Sequence, residues 1–376
     1  VHIDTQIKEL VHDLNKNPNL LAIGVIDNEH KPVGVILRKF LFNLLGRPFG
    51  KEILENKSLA EVYHKGHIED FITKVPQYHK DRNILSIVNE LGETVQTTDI
   101  QRYIALDEEG KYSGIFTNLD VLFYLSNVTR KDLKVAQRLQ KSIVHSSISE
   151  KNENIHIIAH SKMARETGGD FYKIKKYTDK NWVISLCDVS GKGISAALVT
   201  AVLGGVFSMY DFNSSTVHFI KRLNRYIHTS FETEKFLTGL FLKVDEETGI
   251  TRIYDMGHSY VYLYRDKRFY KIKTNSENLP IGIMSEIEPK ANQITLKHDD
   301  VLMTFTDGVP EQENDKGEEF GLKMIPEYID QFKKEGTLDQ IGKKVLDDLN
   351  AFRGKQPQHD DISMMFIHYT NKKNKK

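Results

Sequence analysis

Four apolar stretches beyond residue 160 of this chain break at aspartates. NWVISLCD ends on Asp188, VLMTFTDG carries Asp307, GGDFYKI opens with Asp170, and HDDISMMFI starts from Asp360 and Asp361. Each stretch reads as a strand, with the length and the β-branched or aromatic content expected of one. One aspartate at a strand end is a turn former or a helix cap. Four segments with a carboxylate at a strand terminus, three of them beside Gly or another Asp, constrain the fold further. Carboxylates from different strands can converge at one edge of a sheet, and such an edge suits a hard divalent cation that takes several oxygen ligands. Two such ions about 3.5–4 Å apart can share a carboxylate and a bridging water, lower that water's pKa and hold a phosphoryl oxygen for in-line attack.

The surrounding pattern is α+β. Strand-like runs (IHIIAHSK, DFYKIKKYT, FLTGLFLKV, TRIYDMG, YVYLY, RFYKIK) are interrupted by helical stretches at Ile194–Tyr210, Thr216–Ser230, Lys323–Phe332 and Leu338–Phe352. No regular βαβ alternation appears, so a layered domain is expected. The segment CDVSGKGISAALV fails as a phosphate-binding P-loop. Leu186 stands where its first Gly is required, and Gly193 replaces the Ser or Thr after Lys192. What remains is strand, Asp, tight glycine turn, helix, with Gly191 and Gly193 letting the backbone turn sharply.

Taken in order, ARETGGDFYKI, CDVSGKGISAALV, the GHS of YDMGHSY, TFTDGVPEQEN and HDDISMMFI resemble the metal-dependent protein serine/threonine phosphatases (PPM) of the bacterial SpoIIE/RsbU type. The resemblance covers about residues 154–369. It implies a β-sandwich flanked by helices, with two Mn²⁺ or Mg²⁺ ions at one end. It also implies site roles: Asp188 bridges the ions, the Val189 carbonyl serves one of them, Asp307 and Asp360 complete one site, and Asp170 holds the second. Asp361 is the further candidate ligand, and Asp188, Asp170 and Asp307 are the catalytic set. Arg165 and Lys192 read either as phosphate contacts or as surface cations on loops. His258 reads as a structural histidine, and Cys187 as a buried small apolar residue.

The first third contains an internal repeat. GVIDNEHKPVGVILRKFLFNLL (Gly24–Leu45) and IALDEEGKYSGIFTNLDVLFYL (Ile104–Leu125) both read as strand, acidic turn, strand, amphipathic helix. Asp27 matches Asp107, Gly34 matches Gly114 and Leu45 matches Leu125 at one common offset. Residues 1–127 resemble a tandem CBS (cystathionine-β-synthase) pair. In that family a Thr/Ser-x-x-Asp after a strand binds an adenosyl ligand, and GIFTNLD supplies Thr117 and Asp120. The first repeat has Leu37 and Phe40 at those places, so one adenine-nucleotide site is expected rather than two. The same Thr and Asp also read as a helix cap that needs no ligand.

Between the two domains, residues 128–150 read as a helical linker. Leu133, Ala136, Leu139, Gln140 and Ile143 mark one face, and SISEKNEN follows as an exposed loop. Paired CBS modules and that stripe favour a homodimer. The PPM-like domain then spans 151–376.

Several function classes fall away on composition. Lys+Arg and Asp+Glu both total 52, so nothing favours nucleic acid or an anionic membrane surface. No apolar run approaches the roughly 20 residues that span a bilayer. One cysteine fits a reducing, cytoplasmic setting without disulfides. Beginning at Val1, the chain reads as trimmed. The expected function is removal of phosphate from Ser or Thr of a phosphorylated protein. The resemblance names a STAS-type anti-sigma-factor antagonist as substrate and the CBS pair as the ligand-sensing regulator. Two rivals stand beside it: an inactive ligand-responsive scaffold, and a metal-dependent hydrolase of small phosphorylated metabolites.

Overall fold

The computed structural model describes residues 1–64, 71–91, 100–231 and 234–374. The chain divides into two compact units, Val1–Arg130 and Lys131–Lys376. Among the described residues no helix is long and apolar enough to cross a membrane.

The first unit runs α1 (Ile7–Lys16), β1 (Ala22–Ile26), β2 (Pro32–Leu37), α2 (Arg38–Leu45), α3 (Gly50–Leu54), α4 (Leu59–His64), β3 (Gln77–His79), α5 (Ile84–Leu91), β4 (Arg102–Leu106), β5 (Tyr112–Thr117) and the start of α6 (Asn118–Ile143). The repeat seen in the sequence recurs in three dimensions. Asp27 Oδ1 accepts the N–H groups of Glu29 and Lys31, both at 2.9 Å, and Asp107 Oδ1 accepts those of Glu109 and Lys111 at 3.0 and 2.9 Å. Each aspartate thereby closes the turn of an antiparallel hairpin, as Asx turns do. The register slips at equivalent points, between Val25 and Ile26 and between Ala105 and Leu106. β3 joins β4 in parallel. Ile7, Leu10 and Leu14 of α1 pack with Val25, Ile36 and Leu41 in a core of this unit's own.

The second unit holds two antiparallel sheets. Its elements are β6 (Ser147–Lys151), β7 (Ile155–Lys162), β8 (Asp170–Lys176), β9 (Asn181–Val189), α7 (Ile194–Met209), α8 (Thr216–Ser230), β10 (Leu237–Asp245), β11 (Ile250–Met256), β12 (Val261–Arg265), β13 (Arg268–Lys271), β14 (Asn292–Thr295), β15 (Val301–Phe305), α9 (Ile325–Glu335), α10 (Ile341–Arg353) and β16 (Ile362–Tyr369). One sheet has the order β14-β11-β10-β9-β8 and the other β13-β12-β15-β16-β7-β6. Side chains alternate across the second sheet with the period of two that strands impose. Met365, Ile367 and Tyr369 of β16 enter the core shared with β8–β11, α7 and α8. Met364 and Phe366 point the other way, into a core with α9 and α10. Helices thus cover the outer faces of a two-sheet sandwich.

Two expectations are corrected here. SISEKNEN is not a loop throughout: Ser147–Lys151 forms β6, an edge strand paired with β7. The amphipathic helix of the second repeat and the linker helix expected over 128–150 are one continuous helix, α6, from Asn118 to Ile143. On its C-terminal part Gln140 is buried and Leu139 exposed, so Leu139 does not share the packed face.

Candidate metal centre

The antiparallel register sets Asp170, first residue of β8, directly opposite Asp188 near the end of β9. β15 and β16 are neighbours in the other sheet, with Phe305 paired to Met364. That pairing brings Asp307, two residues past β15, to the same end as Asp360 and Asp361, which lead into β16. Hydrogen bonds join the two sheets there. Thr306 Oγ1 donates to Asp170 Oδ2 at 2.9 Å. The N–H of Gly169 donates to Asp361 Oδ2 at 2.6 Å and that of Ala164 to Asp361 Oδ1 at 2.7 Å. Asp170 and Asp361 are 3% and 4% exposed.

The backbone around Asp361 has no room for side chains. A Cβ on Gly168 would overlap the Asp361 carboxylate, and one on Gly308 would overlap the Asp361 carbonyl. A Cβ on Gly169 would come within 2.7 Å of the Val189 carbonyl oxygen. The β9–α7 turn carries Gly191 at φ 79° and Gly193 at φ 82°, the left-handed conformations the sequence asked for.

Electrostatically the cluster is under strain. Burial first, then Asp307, Asp360 and Asp361, push the Asp188 carboxyl up to about 8. Burial and the charges of Asp188 and Asp361 raise Asp170. Burial, Asp360 and Glu311 raise Asp307. Like charges held in a poorly solvated place disfavour ionisation. Asp307 Oδ1 is buried with no hydrogen-bond partner. An unsatisfied buried carboxylate oxygen is costly, and a cation removes the cost. The donors are all oxygens, a set that fits Mn²⁺ or Mg²⁺ and not Zn²⁺, which prefers His and Cys. Among the described residues no group of three or more His, Cys, Asp or Glu side chains stands arranged to hold a metal ion. Lys192 Nζ takes up Asp360 instead, 2.8 Å from its Oδ2, and donates as well to the His359 carbonyl.

The remaining sequence candidates fall as follows. Arg165 is exposed, on the loop whose Ala164 and Gly169 hold Asp361. His258 is buried, its imidazole held down to about 4 chiefly by desolvation, and its backbone N–H donates to Asp255 Oδ1 at 2.7 Å. Cys187 lies fully inside the core, and burial pushes its thiol up to about 12, so it is no nucleophile. In the first unit, Thr117 N and Oγ1 both donate to Asp120 Oδ2, at 2.8 and 2.6 Å, and Asp120 N donates to Thr117 Oγ1. This is a reciprocal capping arrangement at the start of α6. Asp120 also lines a cavity of about 630 Å³ with Tyr78, Arg82, Phe116 and Tyr124.

Two residues that position the site carry no motif signal of their own. Gln140 of α6 is 3% exposed. Its Nε2 donates to the Gly168 carbonyl at 2.6 Å and to Thr200 Oγ1 at 2.8 Å, and its Oε1 accepts from Gly168 N–H at 3.1 Å. Gln312, buried within TFTDGVPEQEN, accepts from His359 N–H at 3.1 Å and so braces the approach to Asp360. An amide on the packed face of a linker helix, and a glutamine shortly after the Asp-Gly of a strand end, were the visible hints.

Comparison with known proteins bears on the family and the fold. The sequence profile of "Stage II sporulation protein E (SpoIIE)" matches residues 178–370. Phosphoserine phosphatase RsbU of Bacillus subtilis (strain 168) is 25% identical over 247 residues, covering 63% of this chain and 70% of RsbU. Phosphoserine phosphatase RsbP of the same strain is 26% identical over 186 residues, 48% of this chain, and the chain spans only 45% of RsbP. The SiaA-PP2C domain of Pseudomonas aeruginosa superposes with a TM-score of 0.54 at 15% identity, over 66% of this chain and 99% of that domain. With the profile covering half of its residues, the chain belongs to the SpoIIE family, and the match lies within its second unit.

Proposed function

We propose that this chain is a metal-dependent phosphoserine/phosphothreonine protein phosphatase. The observation that carries the reading is the meeting of carboxylates from both sheets at one end of the sandwich, with a buried Asp307 oxygen lacking any partner. Bound Mn²⁺ or Mg²⁺, two ions in all, would supply an activated water and polarise the phosphoryl oxygens. The chain's own part is to hold the donors. Asp188, the Val189 carbonyl, Asp307, Asp360 and Asp170 would hold them, with Asp188 as the ligand common to both. Asp361, its oxygens engaged by Ala164 and Gly169, keeps the loop of residues 163–169 against the site and is a weaker ligand candidate. Arg165 on that loop and Lys192 on the β9–α7 turn are the cations within this region for a substrate phosphate.

The phosphorylated partner we favour is a small STAS-type anti-sigma-factor antagonist, in a cytoplasmic setting consistent with one buried thiol. Two of the matched relatives are phosphoserine phosphatases by name. The first unit we read as a CBS-like pair that binds an adenine nucleotide. Its duplicated Asx-closed hairpins and the Asp120 cavity, with aromatic rings and Arg82, support this. Exposed Leu122, Phe123, Val128 and Val135 on α6 support a homodimer.

Hydrolysis of a phosphoserine peptide should require Mn²⁺, stop with EDTA and be lost in Asp188→Asn. Absence of both turnover and Mn²⁺ binding in the wild type would favour an inactive scaffold. Turnover of nucleotides or sugar phosphates without phosphopeptides would favour a metabolite hydrolase.

A further inference from the structure

We propose that the Lys192 ammonium is a built-in counter-ion of the carboxylate cluster, which a divalent cation must displace from Asp360. The inference rests on the metal-centre reading and adds to it a group within the chain that competes with the metal. Lys192 reaches from the β9–α7 turn to the approach of β16, with Nζ 2.8 Å from Asp360 Oδ2 and a second bond to the His359 carbonyl. Its backbone is fixed on both sides by Gly191 and Gly193 at positive φ. The turn is also tied from outside, where Lys235 Nζ donates to the Ser190 carbonyl at 2.9 Å. Its side chain is about one-third exposed, so it can leave toward solvent without breaking the core.

The competition follows from charge and place. A cation ligated by Asp360 repels an ammonium at the same carboxylate, and ligation of Asp360 Oδ2 takes the oxygen that Lys192 holds. Two consequences ensue. Metal affinity is lower than the carboxylates alone would give, because the Lys192–Asp360 pair must first part. The freed ammonium then becomes available to an anionic substrate only in the loaded enzyme.

Titration of the full chain with Mn²⁺ by calorimetry tests this without recourse to turnover. Lys192→Met and Lys192→Gln should each bind Mn²⁺ roughly two- to fivefold more tightly than wild type, the range expected for loss of a partly exposed ion pair. Lys235→Met removes a cation that contacts this turn from outside it and, among the described residues, pairs with no carboxylate, and should leave affinity unchanged. Unchanged or weaker binding in both Lys192 variants overturns the proposal. Equal tightening in Lys235→Met also overturns it, by reducing the effect to general charge. Failure of the wild type itself to bind Mn²⁺ would instead strike the metal-centre reading.

Discussion

At the scale of single residues, Asp188 carries the conflict built into the site. Its carboxyl is pushed up to about 8 by burial and by three neighbouring carboxylates. A group whose folded value lies above its unfolded value opposes folding once the unfolded chain ionises, so without metal this carboxyl, which the fold keeps protonated, destabilises at neutral pH. Asp188→Asn in EDTA should therefore melt about 2–4 °C higher than wild type, the shift that roughly 1 kcal/mol produces in a domain of this size. The same variant should lose the further rise that Mn²⁺ gives the wild type. A lower Tm would mean that Asp188 makes favourable contacts that outweigh the repulsion. His258 works in the other direction. Burial holds it down to about 4, below its ordinary 6.5, so the unfolded chain takes up a proton that the folded one refuses. Stability should be intact above about 6.5 and fall by at most about 3 kcal/mol as pH drops toward 4. Urea melts of His258→Gln across that window should show a flatter profile, and an unchanged slope would clear His258 of the effect. The aspartates were legible in the sequence because each interrupts an apolar run. Gln140 and Gln312 were not, because an amide's worth lies in partners far along the chain: Gly168 for one and His359 for the other.

Among the elements, α6 shows where periodicity informs and where it stops. The helical spacing put Gln140 and Ile143 on one face correctly, but it also placed Leu139 there, which the fold leaves exposed. A stripe one residue wider than the buried strip cannot be trimmed without knowing what it packs on. β6 was missed for a related reason. SISEK is polar, and an edge strand that hydrogen-bonds to one neighbour needs no alternation of buried side chains. The contact of α6 that matters most is Gln140 with both polar groups of Gly168, two residues before Asp170. Gln140→Ala leaves those groups without their side-chain partner, at a cost of about 1–3 kcal/mol. It should also loosen the loop that carries Gly169 and positions Asp170. The expected result is a lower Tm together with weaker Mn²⁺ binding. Gln140→Glu, which retains an acceptor for the Gly168 N–H but no donor, should fall between. A drop in Tm with Mn²⁺ affinity untouched would confine Gln140 to packing and remove it from any path by which α6 could act on the site.

On the scale of the whole molecule, two units with separate cores predict two separable responses. Ile7, Leu10 and Leu41 belong to one core, and Phe207, Phe241 and Ile367 to another. Every carboxylate of the candidate centre lies in the second unit, while Asp120 and its cavity lie in the first. A ligand that binds only the folded form raises the melting temperature of the unit it occupies, by an amount that grows with its concentration over Kd. Calorimetric melting of the full chain should thus show two transitions. Mn²⁺ should raise the one assigned to the second unit, and AMP or ATP the other if the first unit holds an adenine nucleotide. The informative case is the crossed one. If a nucleotide moves the Mn²⁺-sensitive transition, or if Mn²⁺ affinity changes when nucleotide is present, the two sites share a coupling free energy, and linkage requires each ligand to alter the other's affinity by the same factor. Gln140→Ala should then shrink that factor, since α6 contributes both the Asp120 cap and the Gly168 contact. Coupling that survives the Gln140 variants unchanged would mean that the signal travels by a route other than this contact.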